Sequence, residues 1–122
     1  MTIFTPEQIA YLDGQRLGRL ATVRPDGSPQ NNPVGFRYNP ELGTIDIAGH
    51  NLAASKKFRN LATNPRVSFV VDDIVSVSPW RVRCVEIRGT AEPLTAVPTY
   101  LSDQPAPLIR LHPDRIIAFG LD

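Results

Sequence analysis

The sequence of 122 residues predicts a mainly β domain with two helices, an α+β fold built on a six-stranded antiparallel sheet. Three observations carry this. Helical signals are confined to two segments, one opening at Thr5 and one between His50 and Pro65. Most of the remaining chain falls into β-type runs separated by Pro, Gly, Asn and Asp turns. The last run, Asp114 to Leu121, is apolar in both phases and is expected to be a buried strand. Closing the strands into a barrel is one way to bury both ends of such a sheet. The length fits a single domain, residues 1–122.

Thr5-Pro6-Glu7-Gln8 is a strong helix start: Thr5 can cap, Pro6 suits the first helical position, and Gln8 completes the reciprocal capping pair. The helix is expected to end near Asp13, with Ile9 and Leu12 inward and Gly14 at its close. Leu17 to Arg24 and Gln30 to Tyr38 flank a Pro25 to Ser28 turn and form a hairpin. A second turn, Asn39 to Gly43, leads to the run Thr44 to Gly49 and completes a three-stranded meander. After the second helix, Arg66 to Val71 alternates Val67, Phe69 and Val71 on one face. Trp80 to Glu92 is the longest strand candidate. Its apolar phase slips from Trp80, Val82 and Cys84 to Val85 and Ile87, so a bulge near Cys84–Val85 is expected. Four prolines between Pro93 and Pro107 mark a long irregular connection.

Composition narrows the function. Apolar residues make up 42% and charged residues 20%, with a net charge of +1, so the strong basic excess of a general nucleic-acid binder is missing. The one cysteine, Cys84, rules out an intramolecular disulfide framework and a cysteine-based metal cluster. No segment approaches the ~20 apolar residues that span a bilayer, and the opening Met1 to Leu12 lacks a secretory pattern. A cytoplasmic location is therefore expected, without membrane or nucleic-acid partners.

The most informative stretch is the second helix, where Ser55, Lys56, Lys57 and Arg59 fall within five positions. Ala54, Phe58 and Leu61 recur at the spacing of one buried face, leaving the hydroxyl and cations on the other flanks. Free N–H groups at a helix start, the helix dipole and nearby cations favour an anion such as a phosphate. Taken alone, the run is equally a solvated basic face. His50 stands at the strand-to-helix turn where such an anion would sit, whereas His112 reads as a loop histidine. Dinucleotide, P-loop, zinc-protease and nucleophile-elbow motifs are all missing.

Five short motifs then occur in order: Leu20-Ala21-Thr22, Asp26-Gly27, Pro33-Val34 with Phe36, Ser55/Lys57/Asn60/Leu61, and Asn64-Pro65-Arg66-Val67. Together, over residues 5 to 92, they resemble the pyridoxamine 5′-phosphate oxidase-like flavin and deazaflavin proteins. Asn31 to Tyr38, Ser78 to Arg81 and the terminal Ala118 to Asp122 are most similar to the actinobacterial branch that uses coenzyme F420. The resemblance implies an FMN-binding-like split β-barrel and a homodimer with two cofactor sites at the subunit interface. It implies an oxidoreductase that passes a hydride between reduced F420 and an unsaturated small-molecule substrate. An FMN-binding oxidoreductase, or a non-catalytic flavin- or haem-binding protein, is the alternative.

By position in the motif, the resemblance gives Lys57 to the cofactor phosphate, with Ser55 and Lys56 assisting and His50 and Asn51 in the turn beneath. The backbone of Pro33, Val34, Gly35 and Phe36 would line one face of the ring, with Ile47 to Gly49 beside it. Trp80, Arg81 and Arg110 are the candidates for delivery from a second subunit. Gly35 replaces a bulkier residue often found there. Arg59 and Arg37 could meet the additional charge of the F420 tail. A flavin-type cofactor carries its own redox chemistry, so the protein need supply only binding, orientation and electrostatics; no catalytic side chain is assigned.

Overall fold

Seven strands, not six, form one antiparallel sheet in the computed structural model, which describes residues 2–122. Helix α1 (Pro6–Asp13) precedes β1 (Leu17–Val23), β2 (Pro29–Gly35), β3 (Arg37–Asn39) and β4 (Thr44–Ile47). A 3₁₀ turn (Leu52–Ala54) and α2 (Lys56–Thr63) follow, then β5 (Arg66–Ser76), β6 (Arg81–Val97) and β7 (Ala106–Phe119). The sheet order is β2-β1-β5-β6-β7-β4-β3.

The extra strand arises at Phe36. The expected single run Gln30 to Tyr38 changes partners there: β2 pairs with β1, from Leu17 opposite Gly35 to Val23 opposite Pro29. β3 pairs instead with β4, Arg37 lying opposite Asp46. The expected closed barrel is also corrected, because β2 and β3 are the two ends of the sheet and are not hydrogen-bonded to each other. Segments joined by one residue run on in the same direction and lack the turn that antiparallel neighbours need. Since Phe36 alone links the two end strands, the sheet curls until both ends reach one corner.

The core fills the inside of that curl. Leu20, Ile45, Phe69, Val71, Val85, Ile87, Ile109 and Leu111 are all fully buried. Phe36 packs edge-on against Phe69, ring centroids 5.2 Å apart. Gly18 makes room for that ring, since a Cβ on it would stand 2.2 Å from Phe69 Cζ. Helix α1 forms as its cap dictates: Gln8 N–H donates to Thr5 Oγ1 at 3.1 Å, and Thr5 N–H to Gln8 Oε1 at 2.9 Å. Its buried Tyr11 donates its O–H to Asp73 Oδ1 at 2.9 Å. Arg83 grips the same carboxylate from Nε at 2.9 Å and from its terminal nitrogen at 2.5 Å. This guanidinium, together with Tyr11, holds the Asp73 carboxyl below the usual carboxylate range.

Three further expectations are corrected. No bulge occurs at Cys84–Val85; pairing runs unbroken through Asp72 opposite Cys84 and Val71 opposite Val85. The slip in apolar phase instead marks a strand with two apolar faces, Val85, Ile87 and Ala91 buried while Trp80 is 65% exposed. Irregular pairing falls at Ile74/Ser76, Arg88/Gly89 and Leu94/Val97. The segment Asp114 to Leu121 is a strand without a fully buried residue: Ile116 and Ala118 are half-buried against the core, and Phe119 is exposed. Finally, β6 continues through Pro93, opposite Ile109, to Val97, so the irregular connection shrinks to residues 98–105.

Candidate functional site

Helix α2 begins at a capped end. Ser55 Oγ accepts the Phe58 N–H at 3.3 Å and donates to the Leu52 carbonyl at 2.6 Å. The hydroxyl is therefore committed to shaping the helix start, and its own proton is spent within the chain. The N–H groups of Lys56 and Lys57, the first two of the helix, have no acceptor among the described residues. Lys56 and Arg59 are exposed and Lys57 is half-buried, so the cations surround a helix end that presents free donors. Donor N–H groups with two ammonium groups form a chemistry suited to a phosphate.

The buried face of α2 is made by Phe58 and Leu61; Ala54, expected there, is exposed in the preceding 3₁₀ turn. Asn60, buried beside them, anchors the helix to the first hairpin. Its amide nitrogen donates to Thr22 Oγ1 at 3.0 Å and to Gln30 Oε1 at 3.1 Å, and Gln30 donates on to Asn32 at 2.8 Å. The family motif contained Asn60, but the pattern of residues left it without a task. The signal was present in β1, where Thr22 shares the inward phase of Leu20.

The stretch Gly49–His50–Asn51 joins β4 to the 3₁₀ turn and is exposed throughout. Asn51 takes the left-handed conformation, φ 54°, and its carbonyl accepts the Ala54 N–H at 3.1 Å. Continuing the β3–β4 register by one residue sets Phe36 opposite Ile47. Ile47 to Asn51 thus starts beside Phe36, where β2 passes into β3, and runs on through the 3₁₀ turn to Ser55–Lys57. The side chains of Val34, Phe36 and Ile47 point into the core, leaving backbone to line any ligand. Gly35 is open: a Cβ there would meet nothing nearer than the Arg16 carbonyl oxygen at 3.9 Å.

Trp80 lies elsewhere. It stands beside the β5–β6 turn, lining a cleft of about 460 Å³ with Val75, Arg81, Val82 and Phe119. Arg110 is occupied within its own chain, holding Asp46 from Nε at 3.1 Å and from its terminal nitrogen at 3.2 Å. Thr44 and Asn39 complete the shell of that buried carboxylate. A second cleft, of about 210 Å³, lies beside this pair, lined by Arg37, Asn39, Asp46, Tyr100 and Arg110 among others. Tyr100, which sequence reasoning passed over inside the irregular connection, accepts the Ala48 N–H at 3.0 Å. His112 pairs with Glu92 on neighbouring strands, and Cys84 is a half-buried thiol whose pKa burial pushes up.

A curled antiparallel sheet followed, after β4, by a phosphate-suited helix start defines a class. The chain belongs to the pyridoxamine 5′-phosphate oxidase family, which matches residues 4–116, and is an oxidoreductase-like protein of a flavin-binding kind. It is 45% identical over 126 residues to the 5a,11a-dehydrotetracycline/5a,11a-dehydrooxytetracycline reductase of Streptomyces rimosus, covering 98% of this chain and 84% of that one. Among solved structures, a conserved hypothetical protein of Mycobacterium tuberculosis superposes with a TM-score of 0.74 at 23% identity, over 98% of this chain and 87% of that one. A protein named F420 reductase superposes at 0.68 with 28% identity, over 88% and 94%. Among the described residues, no helix is long and apolar enough to cross a membrane.

Proposed function

We propose that this protein is a reductase that holds coenzyme F420 at the start of α2 and reduces an unsaturated, conjugated small molecule in the cytoplasm. The carrying observation is the capped helix start, with Lys56, Lys57 and two N–H groups that have no acceptor among the described residues, directly after the exposed Gly49–Asn51 turn. The relative named for reduction of a dehydrotetracycline supports reduction of a conjugated substrate, and the similar structure named F420 reductase supports the deazaflavin. When bound, the cofactor supplies the hydride. Lys57 holds the phosphate, the α2 amides meet it through the helix dipole, and the β2 and β4 backbones orient the ring. FMN is the second reading, since its phosphate would use the same helix start.

The site is proposed to be completed by a second copy. Ala91 N–H donates to the Pro65 carbonyl just beyond α2 at 2.8 Å. From Ala91 back to Arg81 the strand runs about 33 Å, so Trp80 stands far from the point where the chain leaving α2 meets β6. Exposed Ile74, Val75, Val77, Trp80 and Phe119 form an apolar tip that a partner subunit would cover. A monomeric mass at micromolar concentration with cofactor binding intact would overturn the shared site.

Absorbance of the freshly purified protein, followed by titration with F420, FMN and haem, tests the cofactor. The expected result is a colourless or weakly coloured protein that binds F420 more tightly than FMN, by a margin that shrinks with salt. A yellow protein with stoichiometric FMN and no affinity for F420 would replace the first reading with the second.

A further inference from the structure

We propose that Tyr100 is a positioning residue for the Gly49–Asn51 turn and so sets how the cofactor phosphate meets Lys57, an inference that rests on the cofactor reading above. The ladder between β4 and β7 ends with Ile47 opposite Ile109, and that between β3 and β4 ends with Arg37 opposite Asp46. The next amide, Ala48 N–H, therefore lies beyond both ladders. Tyr100 meets it at 3.0 Å from fifty-two residues further along the chain.

The tyrosine is itself held. Thr99 N–H donates to the Ser102 carbonyl and Leu101 N–H to Thr99 Oγ1, both at 3.1 Å, making a tight turn with Tyr100 within it. The ring is half-buried, and burial raises the phenol pKa, so the hydroxyl is neutral throughout the physiological range. The turn is thereby fixed at both ends: at Ala48 by this hydroxyl, and at Asn51 by the Ala54 N–H. Exposed Gly49 and His50 between them make no hydrogen bond among the described residues. With the Ala48 anchor gone, a ligand at this turn would have to order it on binding, and that entropy is subtracted from affinity.

Tyr100→Phe keeps the ring and removes the hydroxyl. The variant and the parent protein are titrated with F420 and with FMN, and amide exchange is followed on both proteins without cofactor. The expected result is a Kd raised about three- to tenfold for whichever cofactor binds. Exchange at Ala48 should rise about tenfold, while the Leu108–Leu111 amides of β7 stay protected. Wild-type affinity in the variant, or unchanged exchange at Ala48, overturns the proposal. So does exchange accelerated equally along β4 and β7, which would make Tyr100 a general support. If the parent protein binds neither cofactor, the cofactor reading fails and this role falls with it; the parent titration separates that failure from one confined to Tyr100.

Discussion

Asn60 donates to Thr22 Oγ1 across 3.0 Å, both side chains buried, so the basic helix is fastened to β1 by a polar contact inside the core. The second hydrogen of the same amide reaches Gln30. Asn60→Ala breaks both bonds and leaves the buried Thr22 hydroxyl without its donor. The expected loss is about 2–3 kcal/mol, read as a lower denaturant midpoint at unchanged slope. Affinity for cofactor should fall as well, because the helix start shifts with its anchor.

Lys57→Ala removes a charge from the helix start without touching the core. A hydrogen bond to a charged group is worth roughly 1.5–3 kcal/mol, so cofactor Kd should rise about ten- to a hundredfold. The melting temperature of the cofactor-free variant should stay near that of the parent. An unchanged Kd in the folded variant would remove Lys57 from the site.

Two glycines should respond oppositely to a methyl group. Gly18→Ala drives a Cβ into the Phe69 ring, which lies against Phe36 in the centre of the core. It should cost about 1–3 kcal/mol from overpacking. Gly35→Ala has open space and should leave stability nearly unchanged. If the Gly35 backbone lines the ring, the same substitution weakens cofactor binding. Thermal melts paired with cofactor titration separate the two effects.

The Asp73 carboxyl has its pKa lowered in the folded protein, chiefly by Arg83 and then by Tyr11. A depressed folded value means that the stabilisation is complete above the unfolded pKa, about 3.9 for aspartate, and is lost as pH falls through the folded value. Asp73→Asn should therefore flatten the acid limb of the stability curve below about pH 4. Tyr11→Phe should lower stability at neutral pH as well, because α1 loses its tie to β5. Urea midpoints measured from pH 3 to 7 check both.

The local parts of this fold were legible because their causes are local. Thr5, Pro6 and Gln8 specify the start of α1 among themselves, and Pro25 to Ser28 specifies the first hairpin turn. The basic helix declared its Phe58 and Leu61 face in the same way, whereas the capping role of Ser55 emerged only from the structure. The break at Phe36 was not legible, because nothing in Gln30 to Tyr38 states that its two halves have different partners. The two apolar phases of β6 were visible, yet a bulge and a two-faced strand leave the same pattern. Tyr100 was hidden for a third reason: its partner amide lies fifty-two residues away, and composition marks its neighbourhood only as irregular.

The single-residue passage through Phe36 gives this sheet an unusual margin. The curl is enforced by the covalent chain, like a collar whose two lips are stitched at one point, while no hydrogen bonds hold the lips shut along their length. A molecule lodged against Pro33–Phe36 and Ile47–Asn51 would bridge both lips at once, acting as a clasp on the whole strand array. Its binding energy would then be shared by the two end strands, β2 and β3. Protection from proteolysis should accordingly spread from the stitched corner into β2 and β3 together, rather than stop at the residues that touch the ligand.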